Sequence, residues 1–322
     1  MTLLSADDAR WMGAALTLAE RTRGMTAPNP NVGCVIVADG VVVGRGWTQA
    51  GGRPHAEAMA LDQAGLRARG ATAFVTLEPC AHVSPRGPAC SDLLVTAGVA
   101  RVVVAHRDPD ARTDGRGIAR LRAAGIIVDT DVRERDASRI MAGFLTRRAH
   151  GRPFVTLKLA LSLDGAAAMA DGRSRWITGP EARAHAHLER ARHEAILVGR
   201  GTWEADRPRL DVRLPGLEQR SPEQVVLSSQ PIDGVRTIVT PEDIATLAGD
   251  HLLIEGGART AAAFLAADLV DRLLLYRAPV IVGGGRTLPD IGLTDLAHAH
   301  GRWRLTDARA LGSDRVEVYE RG

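Results

Sequence analysis

A chain of 322 residues is too long for one ordinary hydrophobic core, so two domains of roughly 150 residues each are expected. Hydrophobic residues at 45% and charged residues at 25% describe a folded, water-soluble chain, and no run of about 18 apolar residues offers a membrane span. The net charge of +3 is spread over scattered Lys and Arg, and aromatic residues are only 3%, which argues against nucleic acid as the partner and admits a small phosphorylated substrate.

The stretch SADDARWMGAALTLAERTRG predicts a first helix, with Ser5 as cap, Asp8 in the capping-box position and Gly24 as the stop. MTLLSADDARW lacks the basic start, apolar stretch and small-residue site of an export signal, so a reducing, cytoplasmic location is expected. VGCVIVADG and VVVGRGW predict two strands joined by a hairpin turn at Asp39-Gly40. A helix from about His55 to Ala68, a strand ATAFVTLE, a helix starting near Cys90 and a strand RVVVAH follow. GIARLRAAGIIVDTD adds a helix and a strand, and a polar helix near 134 to 148 closes the first half, an alternation that predicts a three-layer α/β domain. The pattern restarts at His150 to Pro153 with the strand FVTLKLALS, which divides the chain into residues 1–149 and 150–322. Further on, HLLIEGGARTAAAF predicts a strand, a Gly-Gly turn and a helix whose first N–H groups can meet a phosphate.

Cys34, Cys80 and Cys90 are the only cysteines. In a reducing compartment Cys80 and Cys90 read as metal ligands or catalytic groups before they read as a disulfide, whereas Cys34, inside VGCVIV, reads as core. His55 and Glu57 open the helix of PHAEAMAL, and positions two apart can serve one site only off its N-terminal end. Cys90 stands at the start of another helix, and Cys80 closes the strand ATAFVTLE behind Pro79. His55, Cys80 and Cys90 then converge as three ligands with a fourth position open, the arrangement of catalytic zinc. Zinc would acidify water, and Glu57, not itself a ligand, would move the proton to a leaving amine. H-x-E followed by P-C and a later Cys resembles the zinc nucleobase deaminases. Each of these residues alone reads as an ordinary side chain, and only the joint spacing selects the metal. His82 reads equally as a substrate contact and as a plain loop residue.

The separation of Cys80 from Cys90 is wider than the P-C-x-x-C of deaminases that act on cytidine or tRNA. PNPNVG, PHAEAMAL, TLEPCAH and RDPD, in that order, resemble the deaminase half of the RibD family of bifunctional riboflavin-biosynthesis enzymes. KLALSLDG, WITG, ILVGRGTW, RPRLDVRLPG, IEGG and APVIVGGG resemble its reductase half. The resemblance implies a cytidine-deaminase-like α/β domain followed by a dihydrofolate-reductase-like α/β domain, with Zn2+ and NADPH as cofactors. It implies deamination of 2,5-diamino-6-(5-phosphoribosylamino)pyrimidin-4-one, then NADPH-dependent reduction of the ribosyl group to ribityl, in a homo-oligomer. Glu57 matches the proton shuttle, and Asn29, His82 and Asp108 match substrate contacts of the deaminase. Ala160, Trp176, Thr202, Asp206 and the stretch from Gly257 match cofactor positions. Ser174, Arg190, Leu210, Arg213 and Glu255 match substrate positions of the reductase, where a guanidinium such as that of Arg190 or Arg213 suits a sugar phosphate.

The chain departs from that family in several places. Thr48 stands where His is usual, and PRGPAC, with one extra residue, replaces a G-[KR]-T-P-P-C ending, with Arg86 the candidate for the basic contact. Asp206-Arg207-Pro208 replaces Asp-Asp-Pro. The segment between Arg213 and Glu255 is short, as though a strand-and-helix unit were missing, which opens the alternative of a deaminase carrying a degraded reductase domain. Two other classes compete. A nucleic-acid-editing deaminase is disfavoured by the wide cysteine spacing and the lack of a basic-aromatic stripe. A scaffold with a structural metal is disfavoured by the non-ligand Glu57.

Overall fold

The computed structural model describes residues 5–82, 86–174 and 176–322, and the chain divides into two compact units, Met1–His150 and Gly151–Gly322. The first unit opens with α1 (Ala6–Ala19), where the Ser5 hydroxyl accepts from the Asp8 N–H and the Asp8 carboxylate accepts from the Ser5 N–H. β1 (Gly33–Ala38) and β2 (Val41–Trp47) form an antiparallel hairpin whose turn residues Asp39 and Gly40 both take positive φ, as a two-residue hairpin turn requires. Then come α2 (Ala56–Ala64), β3 (Thr72–Val75), α3 (Cys90–Ala97), β4 (Arg101–Val104), α4 (Arg116–Ala123), β5 (Ile127–Asp129), α5 (Glu134–Ile140) and α6 (Ala142–His150).

The strands lie in the order β2-β1-β3-β4-β5, with β3, β4 and β5 parallel. Helices cover both faces. Gly33 meets the backbone of α1 at Ala15, while Gly44 and Gly46, on the opposite face, meet the backbone of α2 at Ala60 and Ala56. A Cβ at any of these glycines would collide with helix backbone, so their lack of a side chain sets how closely the first turn of α2 lies on the sheet.

Three elements depart from their sequence limits. The helix after His55 ends at Ala64 and tightens into a 3₁₀ turn, Gly65–Ala68, because Gly65 takes positive φ. The strand in ATAFVTLE stops at Val75, so Cys80 lies on the following loop and not at the strand end. Beyond Val75 the ladder is abandoned: the Glu78 N–H donates to the His106 carbonyl, and Pro79 has no N–H to continue. The polar helix near 134 to 148 is two helices that meet at the buried Met141.

The second unit contains β6 (Phe154–Leu161), α7 (Pro180–Arg190), β7 (Ala195–Gly199), α8 (Arg200–Asp206), β8 (Glu223–Leu227), β9 (Arg236–Ile238), β10 (His251–Ile254), α9 (Ala258–Ala266), β11 (Arg272–Arg277), β12 (Trp303–Leu311) and β13 (Asp314–Arg321). These strands form one sheet, β12-β13-β11-β6-β10-β7-β8-β9, parallel from β11 to β9 and closed at the other edge by the antiparallel β12–β13 hairpin. Between Arg213 and Glu255 both β8 and β9 are present and paired, and β9 reaches β10 through the 3₁₀ turn Pro241–Thr246. Among the described residues this segment holds two paired strands and 3₁₀ turns but no α-helix, and the sheet runs through it unbroken. Among the described residues no helix is long and apolar enough to cross a membrane.

Candidate active sites

His55 has an extended backbone (φ −73°, ψ 161°) and caps α2, with Glu57 following in the first turn. That offset from the helix lets residues two apart face one site. Cys90 is the first residue of α3, and its N–H donates to Cys80 Sγ at 3.3 Å. Ser91 holds the Cys80 carbonyl through its N–H (3.2 Å) and its hydroxyl (3.0 Å). His55 Nδ1 lies 3.3 Å from Cys90 Sγ and 3.7 Å from Cys80 Sγ, and the three ligand atoms are all within 4.8 Å of one another. One imidazole and one thiol at two helix starts, with a second thiol on the loop after β3, fit a zinc ion with one position open. The Cys80 thiol is pulled down, first by its hydrogen bond with Cys90 and then by His55, so that a thiolate is ready for a cation. Burial pushes the Glu57 carboxyl up to about 7, opposed by His55 and assisted by the Cys80 charge.

A cavity of about 180 Å³ opens beside these groups, and Asn29, His82 and Asp108 all line it. Asn29 Nδ2 donates to the Gly52 carbonyl at 2.8 Å and lies 3.3 Å from His55 Nε2, which leaves its Oδ1 without a partner among the described residues. His82 Nδ1 is buried and likewise has no partner among the described residues. Asp108 follows β4, and burial raises its carboxyl to about 6, the Asp110 N–H opposing and the Asp110 and Glu78 charges adding. Cys34 is buried in β1, away from the ligand cluster. Thr48 is also buried, and its hydroxyl accepts from the Val32 N–H at 3.0 Å, so this position supplies packing and no cation. Arg86 lines the cavity and donates to the Gly51 carbonyl at 2.8 Å.

The second unit holds a cleft of about 1640 Å³, beyond the roughly 300–1,000 Å³ usual for a single small ligand. Ala160, Trp176, Thr202, Asp206 and Gly257 line it, as do Ser174, Arg190, Leu210, Arg213 and Glu255. The adjacent parallel strands β7 and β10 end at this cleft, where ligands of open α/β sheets collect. Gly257 caps α9 with no side-chain cap on its first N–H groups, and the start of the helix, Gly257 to Thr260, lines the cleft. Glu255 is bound bidentately by Arg190, Nε to Oε1 at 2.7 Å and Nη2 to Oε2 at 3.0 Å, with Lys158 Nζ 3.7 Å from Oε2. Burial would raise the Glu255 carboxyl, but Lys158 and Arg190 outweigh it and hold it at about 2. Arg190 also donates to the Asp211 carbonyl at 2.9 Å, and Arg213, half-exposed, pairs with the Asp211 carboxylate at 3.5 Å. Trp176 is exposed under the Arg183 guanidinium, 4.7 Å from its ring centroid.

Two organising carboxylates lie within TLEPCAH and KLALSLDG, and their backbone partners are far along the chain. Glu78 is buried and accepts from the N–H groups of Asp108 (3.3 Å), Gly115 (2.9 Å) and Ile118 (3.1 Å), which fixes the loop bearing Asp108 to the start of α4. Asp164 accepts from the N–H groups of Val282 (3.1 Å) and Gly283 (2.9 Å) and anchors the glycine-rich loop.

The family model of the cytidine and deoxycytidylate deaminase zinc-binding region matches residues 5–106, and that of the RibD C-terminal domain matches residues 153–249 and 242–316. The chain is 41% identical over 361 aligned residues to riboflavin biosynthesis protein RibD of Escherichia coli K12, with 95% of this chain and 97% of that one covered. It is similar in structure to Acinetobacter baumannii RibD (TM-score 0.87, 37% identity, 98% of this chain and 99% of the other covered). It is equally similar to a diaminohydroxyphosphoribosylaminopyrimidine deaminase/5-amino-6-(5-phosphoribosylamino)uracil reductase of Thermotoga maritima (TM-score 0.87, 29% identity, the same coverage). With both halves matched in order over nearly its whole length, the chain belongs to the RibD family of riboflavin biosynthesis.

Proposed function

We propose that the chain catalyses two successive steps of riboflavin biosynthesis, one in each unit. The first unit deaminates 2,5-diamino-6-(5-phosphoribosylamino)pyrimidin-4-one, and the second, an α/β domain of the dihydrofolate-reductase type, reduces the ribosyl group of the product to ribityl. The observation that carries the reading is the convergence of His55, Cys80 and Cys90 with the buried carboxylate of Glu57 at one small cavity.

Zinc, when bound by those three residues, supplies the Lewis acidity that lets water release its proton near neutral pH. Glu57 takes that proton and hands it to the departing amine, so a C–O bond forms, a C–N bond breaks and ammonia leaves. Its burial suits this task, because a carboxyl raised towards neutrality can both accept and return a proton. Asn29 Oδ1, His82 Nδ1 and Asp108 orient the pyrimidine and its sugar, the first two as polar atoms awaiting a partner. The separation of Cys80 from Cys90, wider than P-C-x-x-C, is the reason to expect little action on cytidine or tRNA.

NADPH, when bound, supplies the hydride of the second step. Gly257, Thr202, Ala160, Trp176 and Asp206 form its side of the cleft, while Arg213, Ser174 and Leu210 meet the phosphoribosyl substrate. Lys158 Nζ stands on the same wall, 3.7 Å from Glu255 Oε2, and Glu255 keeps both Lys158 and Arg190 in place. The uninterrupted sheet supports an active reductase over a degraded one. We take the working form to be a cytoplasmic homo-oligomer.

Purified protein given the diaminopyrimidine substrate should release ammonia without NADPH and oxidise NADPH only once the deaminated product exists. A kcat/KM for cytidine comparable with that for the phosphoribosylaminopyrimidine would contradict the substrate assignment.

A further inference from the structure

The deaminase cavity carries its charges in two layers. Glu57, Glu78 and Asp108 are its inner carboxylates, at 4%, 2% and 7% exposure. Towards solvent stand Arg112 and Arg148, with side chains 62% and 43% exposed, and both converge on Asp110, which is 9% exposed. Arg112 grips both Asp110 oxygens, Nε at 3.0 and 3.2 Å and Nη2 at 2.6 Å from Oδ2, and Arg148 Nη2 reaches the same Oδ2 at 2.8 Å. The Arg148 guanidinium also lies 5.4 Å from the centroid of the Phe144 ring.

An ordinary surface ion pair matches one cation with one anion and neutralises both. Here two guanidiniums share one carboxylate, so the trio carries a net positive charge at the rim of a cavity that Arg53 and Arg86 also line, and both side chains are held in place before any ligand arrives. Thr48 brings no cation to this cavity, since its hydroxyl is turned into the core against Val32. A neutral pyrimidine can enter between the inner carboxylates, but a phosphate dianion is repelled by them and driven to the rim. The N–H groups of Arg112 and Arg148 that do not bond Asp110 remain to meet phosphate oxygens, and side chains already immobilised by Asp110 lose little further freedom on binding.

We propose that Arg112 and Arg148, bridged by Asp110, form the clamp for the phosphate of the deaminase substrate. This deepens the deaminase reading above and rests on it. The pair determines specificity for the phosphorylated form and takes no part in the bond-changing step.

The test uses full-length Arg112→Ala, Arg148→Ala and the double variant, assayed for ammonia release from the phosphoribosylaminopyrimidine and from the same compound lacking its phosphate. Each single variant should raise KM for the phosphorylated compound about 10- to 100-fold with kcat within about 2-fold. KM for the dephosphorylated compound should stay unchanged, and Arg148→Lys should recover part of the loss. Zinc content and NADPH oxidation with the deaminated product report that each variant is folded. In the wild-type protein, ribose 5-phosphate should compete with substrate far better than ribose does, a preference that the double variant loses. Equal KM changes for both compounds, no change in the double variant, or no preference for ribose 5-phosphate over ribose each overturns the clamp while the deaminase reading stands. A wild-type protein that deaminates some other pyrimidine but not this one overturns the deaminase reading, and the clamp with it.

Discussion

Replacing Glu255 by Gln removes one charge from a site where three charged groups depend on each other. Glu255, Arg190 and Lys158 have side-chain exposures of 9%, 13% and 22%, so little water is available to replace a lost partner. Breaking a buried pair by neutralising one member typically costs about 3–5 kcal/mol. The lowering of the Glu255 carboxyl from 4.5 to about 2 leads independently to ~3 kcal/mol. Because the folded value lies below the unfolded one, this contribution is fully present above pH 4.5 and is lost as pH falls towards about 2. Hydrogen exchange of the full chain, with rates corrected for intrinsic exchange at each pH, reads the effect in peptides from β6 and β10, while peptides of the first unit serve as reference. At pH 7 the variant should lose protection there on the order of 100-fold, and the difference should shrink to less than half its free energy by pH 3. Protection within about 5-fold of wild type at pH 7, or a gap of the same size at pH 7 and pH 3, would refute the reasoning.

His55→Ala and Cys90→Ser should lose zinc and deamination together by metal analysis and ammonia release, and full zinc occupancy in both would remove them from the ligand set. Glu57→Gln should keep its zinc yet deaminate about 10²- to 10⁴-fold more slowly, and near-normal turnover would exclude it as the shuttle. Gly46→Val pushes a side chain into the backbone of α2 at Ala56, the turn that carries Glu57, and should cost about 1–3 kcal/mol of first-unit stability together with zinc affinity in chelator competition. Cys90→Ser should leave NADPH oxidation by the deaminated intermediate within about 2-fold of wild type, since the reductase cleft is lined wholly by residues of the second unit. Absence of that oxidation in wild-type protein whose deaminase works would mean that the second unit has lost its chemistry.

Several of these features are legible in the sequence because they depend on a few neighbouring residues. The Ser5–Asp8 capping box and the Asp39-Gly40 turn act over two to four positions, and the structure has both. The ligand triad is visible for a related reason: in a chain with few cysteines, Cys80, Cys90 and His55 stand next to recognisable element ends, where side chains from separate elements can meet. Even there the limits blur. The strand before Cys80 ends at Val75, and Pro79, which has no N–H to donate, is the local mark of its end.

The sequence by itself determined the alternation of elements, since it follows from local backbone preference and hydrophobic period. Only the tertiary structure decided which carboxylate serves which arginine. Arg190 finds Glu255 across 65 residues, Arg148 finds Asp110 across 38, and Glu78 holds N–H groups up to 40 residues away. It also decided that the stretch after Arg213 carries β8 and β9 into the sheet. The physical reason is common to all of these. Ion pairs and strand ladders depend on distance in space, which strand order and the close packing of helices on the sheet set, and a chain with 41 Lys and Arg against 38 Asp and Glu offers far too many pairings for sequence separation to choose among them.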